Sequence, residues 1–134
     1  MSGDGEESGE TSGPIIQDIE FEDLKKGLID DGTLKLVDVR DPQELETQGK
    51  IPKSINIPLP EIPDAFRNLS NEEFSSKYGF SKNDDNLVFS CRSGRRAEAA
   101  INHVFGGDPS ISKFRLYRGS FMDWEAKGGP IEKP

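Results

Sequence analysis

Apolar residues fall along the chain in short blocks, and their spacing alternates between two periods. In FEDLKKGLID, Phe21, Leu24, Leu28 and Ile29 recur at helical spacing, and Gly32 supplies a stop. LKLVDV, Leu34 to Val39, is a short run of strand type. Asp41-Pro42 reads as an N-cap with proline at the first helical position, opening a short helix through Gln48. SINIP, Ser54 to Pro58, fits a brief strand closed by proline. Pro58, Pro60 and Pro63 predict a loop rather than the middle of any element. SNEEFSSKYG opens with Ser70 and carries Glu73 three residues later, the signature of a capping box. NLVFS is the next strand. Residues 95–105 follow as a helix with Ala97, Ala100, Ile101 and Val104 on one face. KFRLYRG is a last strand, and SFMDWEAKG a last helix ending at Gly128.

Strands separated by helices predict an α/β fold, a parallel sheet with helices on both faces. No internal repeat is visible. In such sheets ligands sit where a strand's carboxyl end leads into a helix. The chain's single cysteine, Cys91, stands one residue past NLVFS, at such a junction.

Composition narrows the picture. The 134 residues, 32% apolar, suffice for one domain with a modest core. A formal charge of −8 argues against nucleic acid and against an acidic membrane surface as partners. Residues 1–14 hold Asp4, Glu6, Glu7 and Glu10 among glycines and serines, with no base, and read as a disordered acidic tail ahead of a domain over residues 15–134. One cysteine forms no intrachain disulfide, and with His103 as the single histidine no zinc site of Cys/His type is expected. No run of roughly eighteen apolar residues spans a membrane. The N-terminus is acidic and lacks an apolar signal segment, which makes the cytosol the default compartment.

A lone cysteine is most often a small buried hydrophobe. VFSCRSGRRAEAA gives reason to read Cys91 otherwise. Gly94 permits the backbone angles of a loop that turns several N–H groups inward, and Arg92, Arg95 and Arg96 crowd a helix start where positive charge is unfavourable without an anion. Together they favour a thiolate nucleophile beside a pocket for a small anion.

Cys91-Arg92-Ser93-Gly94-Arg95-Arg96 resembles the active-site loop of the rhodanese family, the thiosulfate sulfurtransferases. LVDVRDPQEL, GKIPKSINIPL and YRGSFMDWEAKGGPIE resemble further family motifs, in the family's order, with Lys50 and Lys53 standing where His and Gly are common. The resemblance covers the chain from about residue 15 onward. It implies a rhodanese-like fold with a five-stranded, mainly parallel sheet. It implies that Cys91 takes the sulfane sulfur of thiosulfate as a persulfide and passes it to cyanide, glutathione or a thioredoxin-like thiol. Arg92, Ser93, Gly94, Arg95 and Arg96 would bind substrate and the persulfide, with no cofactor and no metal. Six residues from Cys91 to Arg96 favour sulfur transfer over the phosphatases and arsenate reductases of this fold, whose loop is one residue longer. Arg92 favours thiosulfate as the donor.

Other residues are weighed against plainer roles. His103 reads as a surface or core-edge residue rather than a base. Asp38 reads as half of an internal ion pair. Arg40 and Arg118 are candidate cleft-lining residues, and Arg118 with Ser120 either meets an acceptor or, in the case of Ser120, caps the last helix. Phe121 and Trp124 read as core. A non-catalytic interaction module of the same fold is the alternative to an enzyme, and the presence of Cys91 opposes it.

Overall fold

A computed structural model describes residues 14–107, 111 and 113–133. The expected acidic tail therefore lies outside the described residues, apart from Pro14. The order of elements is β1 (Ile15–Asp18), α1 (Phe21–Lys25), β2 (Lys35–Asp38), α2 (Pro42–Gln48), β3 (Ile55–Asn56), α3 (Ile62–Asn68), α4 (Asn71–Tyr78), β4 (Leu87–Ser90), α5 (Arg95–Gly107), β5 (Lys113–Leu116) and α6 (Ser120–Ala126). A wide turn over Lys26–Asp30 extends α1, closed by Asp31 N–H donating to the Lys26 carbonyl at 2.8 Å.

The five strands form one sheet in the order β1-β5-β4-β2-β3, every pair parallel. Side chains alternate across it, so each strand feeds two cores. Leu36 and Val88 face a cluster with Leu24, Leu28, Phe121 and Trp124, which places α1 and α6 on that side. Val37 and Phe89 face the opposite cluster, with Phe66, Phe74, Ala97, Ala100, Ile101 and Val104 from α3, α4 and α5. Burial on both faces explains why Leu87, Val88 and Phe89 read as a continuous apolar run rather than an alternating one. Phe121 and Trp124 are core, as expected.

The Ser70 capping box forms as read: Glu73 N–H donates to Ser70 Oγ at 3.0 Å, and Ser70 N–H to Glu73 Oε1 at 2.8 Å. Two elements differ from the expectation. The proline-rich stretch is not a loop throughout: Leu59–Glu61 make a tight 3-10 turn that leads into α3. Pro60 and Pro63 occupy first-turn positions, where a missing N–H costs nothing. Strand β1 is not among the expected strands: Ile15, 62% exposed on the sheet edge, gives it no alternating pattern.

Candidate active site

Strand β4 is the central strand, and Cys91 is the first residue beyond it. The loop Cys91–Gly94 then turns directly into α5. Gly94 has φ +99, outside the range that side chains favour, and its N–H donates to Cys91 Sγ at 3.0 Å. A Cβ at Gly94 would lie 2.5 Å from the Arg118 carbonyl oxygen, so the β5–α6 turn packs directly on the loop. The N–H groups of Arg92, Ser93, Arg95 and Arg96 donate to no acceptor among the described residues. Four unpaired amides and one bound to sulfur, at the amino end of a thirteen-residue helix, form a patch of positive potential around the thiol.

The sulfur is covered. Cys91 is 1% exposed and packs on its inner side against the core. Its outer surroundings are polar, and Arg92, Ser93 and Arg95 are exposed above it. The expected ring of inward amides is therefore narrower than anticipated: the Gly94 amide reaches Sγ, and the rest stand free.

Ser120 completes the setting, in a role that the sequence did not suggest. It does not cap α6, which starts after Gly119 with no side-chain cap. Its φ of +58 turns the hydroxyl inward, where it is fully buried. Ser120 Oγ accepts from Cys91 N–H at 3.0 Å, donates to the Tyr117 carbonyl at 2.8 Å, and lies 4.0 Å from Sγ. Phe121 N–H donates to the Cys91 carbonyl at 2.9 Å and Met122 N–H to that of Arg92 at 3.1 Å. The last helix thus holds the Cys91 backbone.

The arginines separate by what they touch. Arg96 makes a two-pronged pair with Glu44, at 2.6 and 2.9 Å. The Arg96 hydrogen bond holds the Glu44 carboxyl down at about 2, and Glu44 raises the arginine in return. Arg92 Nη1 donates to Gln48 Oε1 at 3.0 Å. Arg95 has no hydrogen-bond partner among the described residues. Arg118 is exposed and pairs with Asp18 at 3.2 Å and Glu98 at 3.5 Å.

Arg40 lines no open cleft. It is fully buried, bonded to Asp38 (Nη2 to Oδ2, 2.8 Å) and to the Gly49 carbonyl (3.0 Å), with its guanidinium 4.2 Å from the centre of the Phe121 ring. The Asp38 ion pair is as expected. His103 is exposed on α5. Among the described residues no cluster of metal-ligand type occurs, and no helix is long and apolar enough to cross a membrane.

A parallel α/β domain that presents a cysteine at the carboxyl end of its central strand, under helix-start amides without a partner among the described residues, has the geometry to hold a small anion beside a sulfur atom. The rhodanese-like domain profile matches residues 20–127, and the chain belongs to that family. A putative mitochondrial thiosulfate sulfurtransferase of Schizosaccharomyces pombe is 42% identical over 107 residues, 78% of this chain and 72% of that one. The thiosulfate:glutathione sulfurtransferase of Saccharomyces cerevisiae is 38% identical over 128 residues, 93% of this chain and 89% of its own. The structure of the human single-domain sulfurtransferase TSTD1 superposes with a TM-score of 0.69 at 28% identity, covering 83% of this chain and 96% of that one. The mitochondrial description of the S. pombe relative gives the cytosolic expectation no support.

Proposed function

We propose that the protein is a thiosulfate sulfurtransferase working through a Cys91 persulfide. The observation that carries this reading is the Gly94 N–H on Cys91 Sγ, among helix-start amides that have no partner among the described residues. The Cys91 thiolate attacks the terminal sulfur of thiosulfate, the S–S bond of the donor breaks, and sulfite leaves with the electron pair. A persulfide anion remains, its outer sulfur facing the free amides of Arg92, Ser93, Arg95 and Arg96. The thiolate of an acceptor such as glutathione then attacks that outer sulfur. The Cys91 thiolate is released and the acceptor departs as its own persulfide. With cyanide the product is thiocyanate. No proton is taken up or released in either transfer between ionised species, which fits a site with no histidine at the sulfur.

The sulfur's burial sets the route. The donor enters beneath Arg92 and Ser93, both exposed, and its sulfonate end meets Arg95 and Arg92. The test is thiocyanate formation from thiosulfate and cyanide by the full chain. Turnover that is lost in Cys91→Ser is the expected result. Hydrolysis of a phosphate monoester with no thiocyanate formed would replace this reading with that of a phosphatase.

A further inference from the structure

Two arginines bracket the cysteine loop, and one helix holds both. Arg92 and Arg96 stand four residues apart, and so do Glu44 and Gln48 on α2. That spacing brings the two acceptors to one helix face. The two acceptors differ in charge. Glu44 is a carboxylate and cancels the charge of Arg96, leaving that arginine a strut between α2 and α5. Gln48 is a neutral amide. Its Oε1 orients the Arg92 guanidinium at 3.0 Å and leaves the unit positive charge intact. Gln48 is itself fixed: Oε1 also takes Arg40 Nη1 at 3.4 Å, and its backbone carbonyl takes Lys133 Nζ at 3.3 Å.

We propose that Gln48 is a specificity-determining positioning residue, which aims Arg92 at the mouth of the loop through a neutral acceptor so that the guanidinium keeps its charge for a doubly anionic sulfur donor. The proposal rests on the sulfur-transfer reading above. A carboxylate in place of the amide would compete with the donor for the same guanidinium. A smaller apolar side chain would leave the charge but release its aim. The two substitutions therefore separate charge from positioning.

The experiment measures Cys91 persulfide by intact mass in single turnovers of the full chain against thiosulfate concentration. Gln48→Glu puts a carboxylate between the Arg40 and Arg92 guanidiniums, so the fold is retained. It is expected to raise the half-saturating thiosulfate concentration about three- to tenfold, with the loading rate at saturation within about twofold of the parent. Gln48→Ala is expected to raise it less. Added sodium chloride is expected to narrow the gap between parent and Gln48→Glu. In an Arg92→Ala background Gln48→Glu is expected to have no further effect. An unchanged half-saturating concentration in Gln48→Glu, or equal rises in the Glu and Ala variants, would overturn the proposal while leaving sulfur transfer intact. A parent protein that forms no persulfide at any thiosulfate concentration overturns the underlying reading, and this inference with it.

Discussion

Two strand-to-helix turns lie side by side at the carboxyl edge of the sheet, and both carry arginine. In the β2–α2 turn the buried polar groups of Asp38 and Arg40 are engaged. Asp38 accepts from the Arg40 backbone N–H at 3.0 Å and from its side chain at 2.8 to 3.1 Å, and Asn56 donates to the carbonyls of Asp38 and Arg40 at 2.8 and 2.9 Å. In the β4–α5 turn four amides and the Arg95 guanidinium have no partner among the described residues. The same fold position therefore yields a sealed brace in one case and, in the function proposed above, an anion cradle in the other. What separates them is whether the polar groups are satisfied from within the protein, not which residue types are present.

The largest effect should come from opening the brace. Asp38→Ala leaves the Arg40 charge buried without a partner and is expected to cost about 3–5 kcal/mol in urea unfolding. The double change Asp38→Leu with Arg40→Met should recover most of that loss, because two apolar groups need no partner. A double variant as unstable as Asp38→Ala would show that the pair does more than brace the turn.

Gly94→Ala attacks the cradle instead. The new Cβ meets the Arg118 carbonyl at 2.5 Å in a backbone region that disfavours side chains. Sulfur transfer is expected to fall about 100-fold, by the usual penalty for misplacing a reacting group. Wild-type turnover in this variant would mean that the loop's shape is not what activates the sulfur.

Ser120 links the two kinds of region, since a fully engaged hydroxyl supports the open loop. Ser120→Ala keeps the strained φ and loses the hydroxyl, whereas Ser120→Gly loses both. Both should slow persulfide formation about tenfold, the loss of roughly one hydrogen bond. The glycine variant should melt at a higher temperature than the alanine variant, because about 1 kcal/mol of backbone strain is relieved. The reverse order of melting would remove strain from the account.

The smallest effect is electrostatic. Glu44 is held at about 2 in the folded protein, chiefly by the Arg96 hydrogen bond, against 4.5 for a free glutamate. A depressed carboxyl stabilises the fold above its unfolded value, and the benefit fades as pH falls from 4.5 towards 2. Glu44→Gln should therefore cost about 1 kcal/mol at neutral pH, given solvent access to the pair, and progressively less in denaturation curves recorded at lower pH. A cost that stays constant down to the acid limit would contradict the ion pair.

Much of this was legible in the chain, for local reasons. The helix over 95–105, the Ser70 box and the position of Cys91 after an apolar strand depend on neighbours within one turn, and spacing reports such neighbours well. Lys53, where the resembled motif commonly has glycine, holds φ +69, a conformation that glycine takes most readily. The roles of Ser120 and Gln48 were not legible. Ser120 meets Cys91 across 29 residues of sequence and Gln48 meets Arg92 across 44, and no periodicity carries such pairings. The burial of Arg40 was not legible for a related reason: its guanidinium packs on Phe121, which arrives from the far end of the chain.

In the proposed mechanism Cys91 alone carries the travelling sulfur. Intact mass of the full chain after incubation with thiosulfate tests it most directly. The expected result is a gain of one sulfur atom, its removal by cyanide, and no gain in Cys91→Ser. A protein that keeps its original mass with thiosulfate, or a Cys91→Ser variant that still gains sulfur, would contradict it.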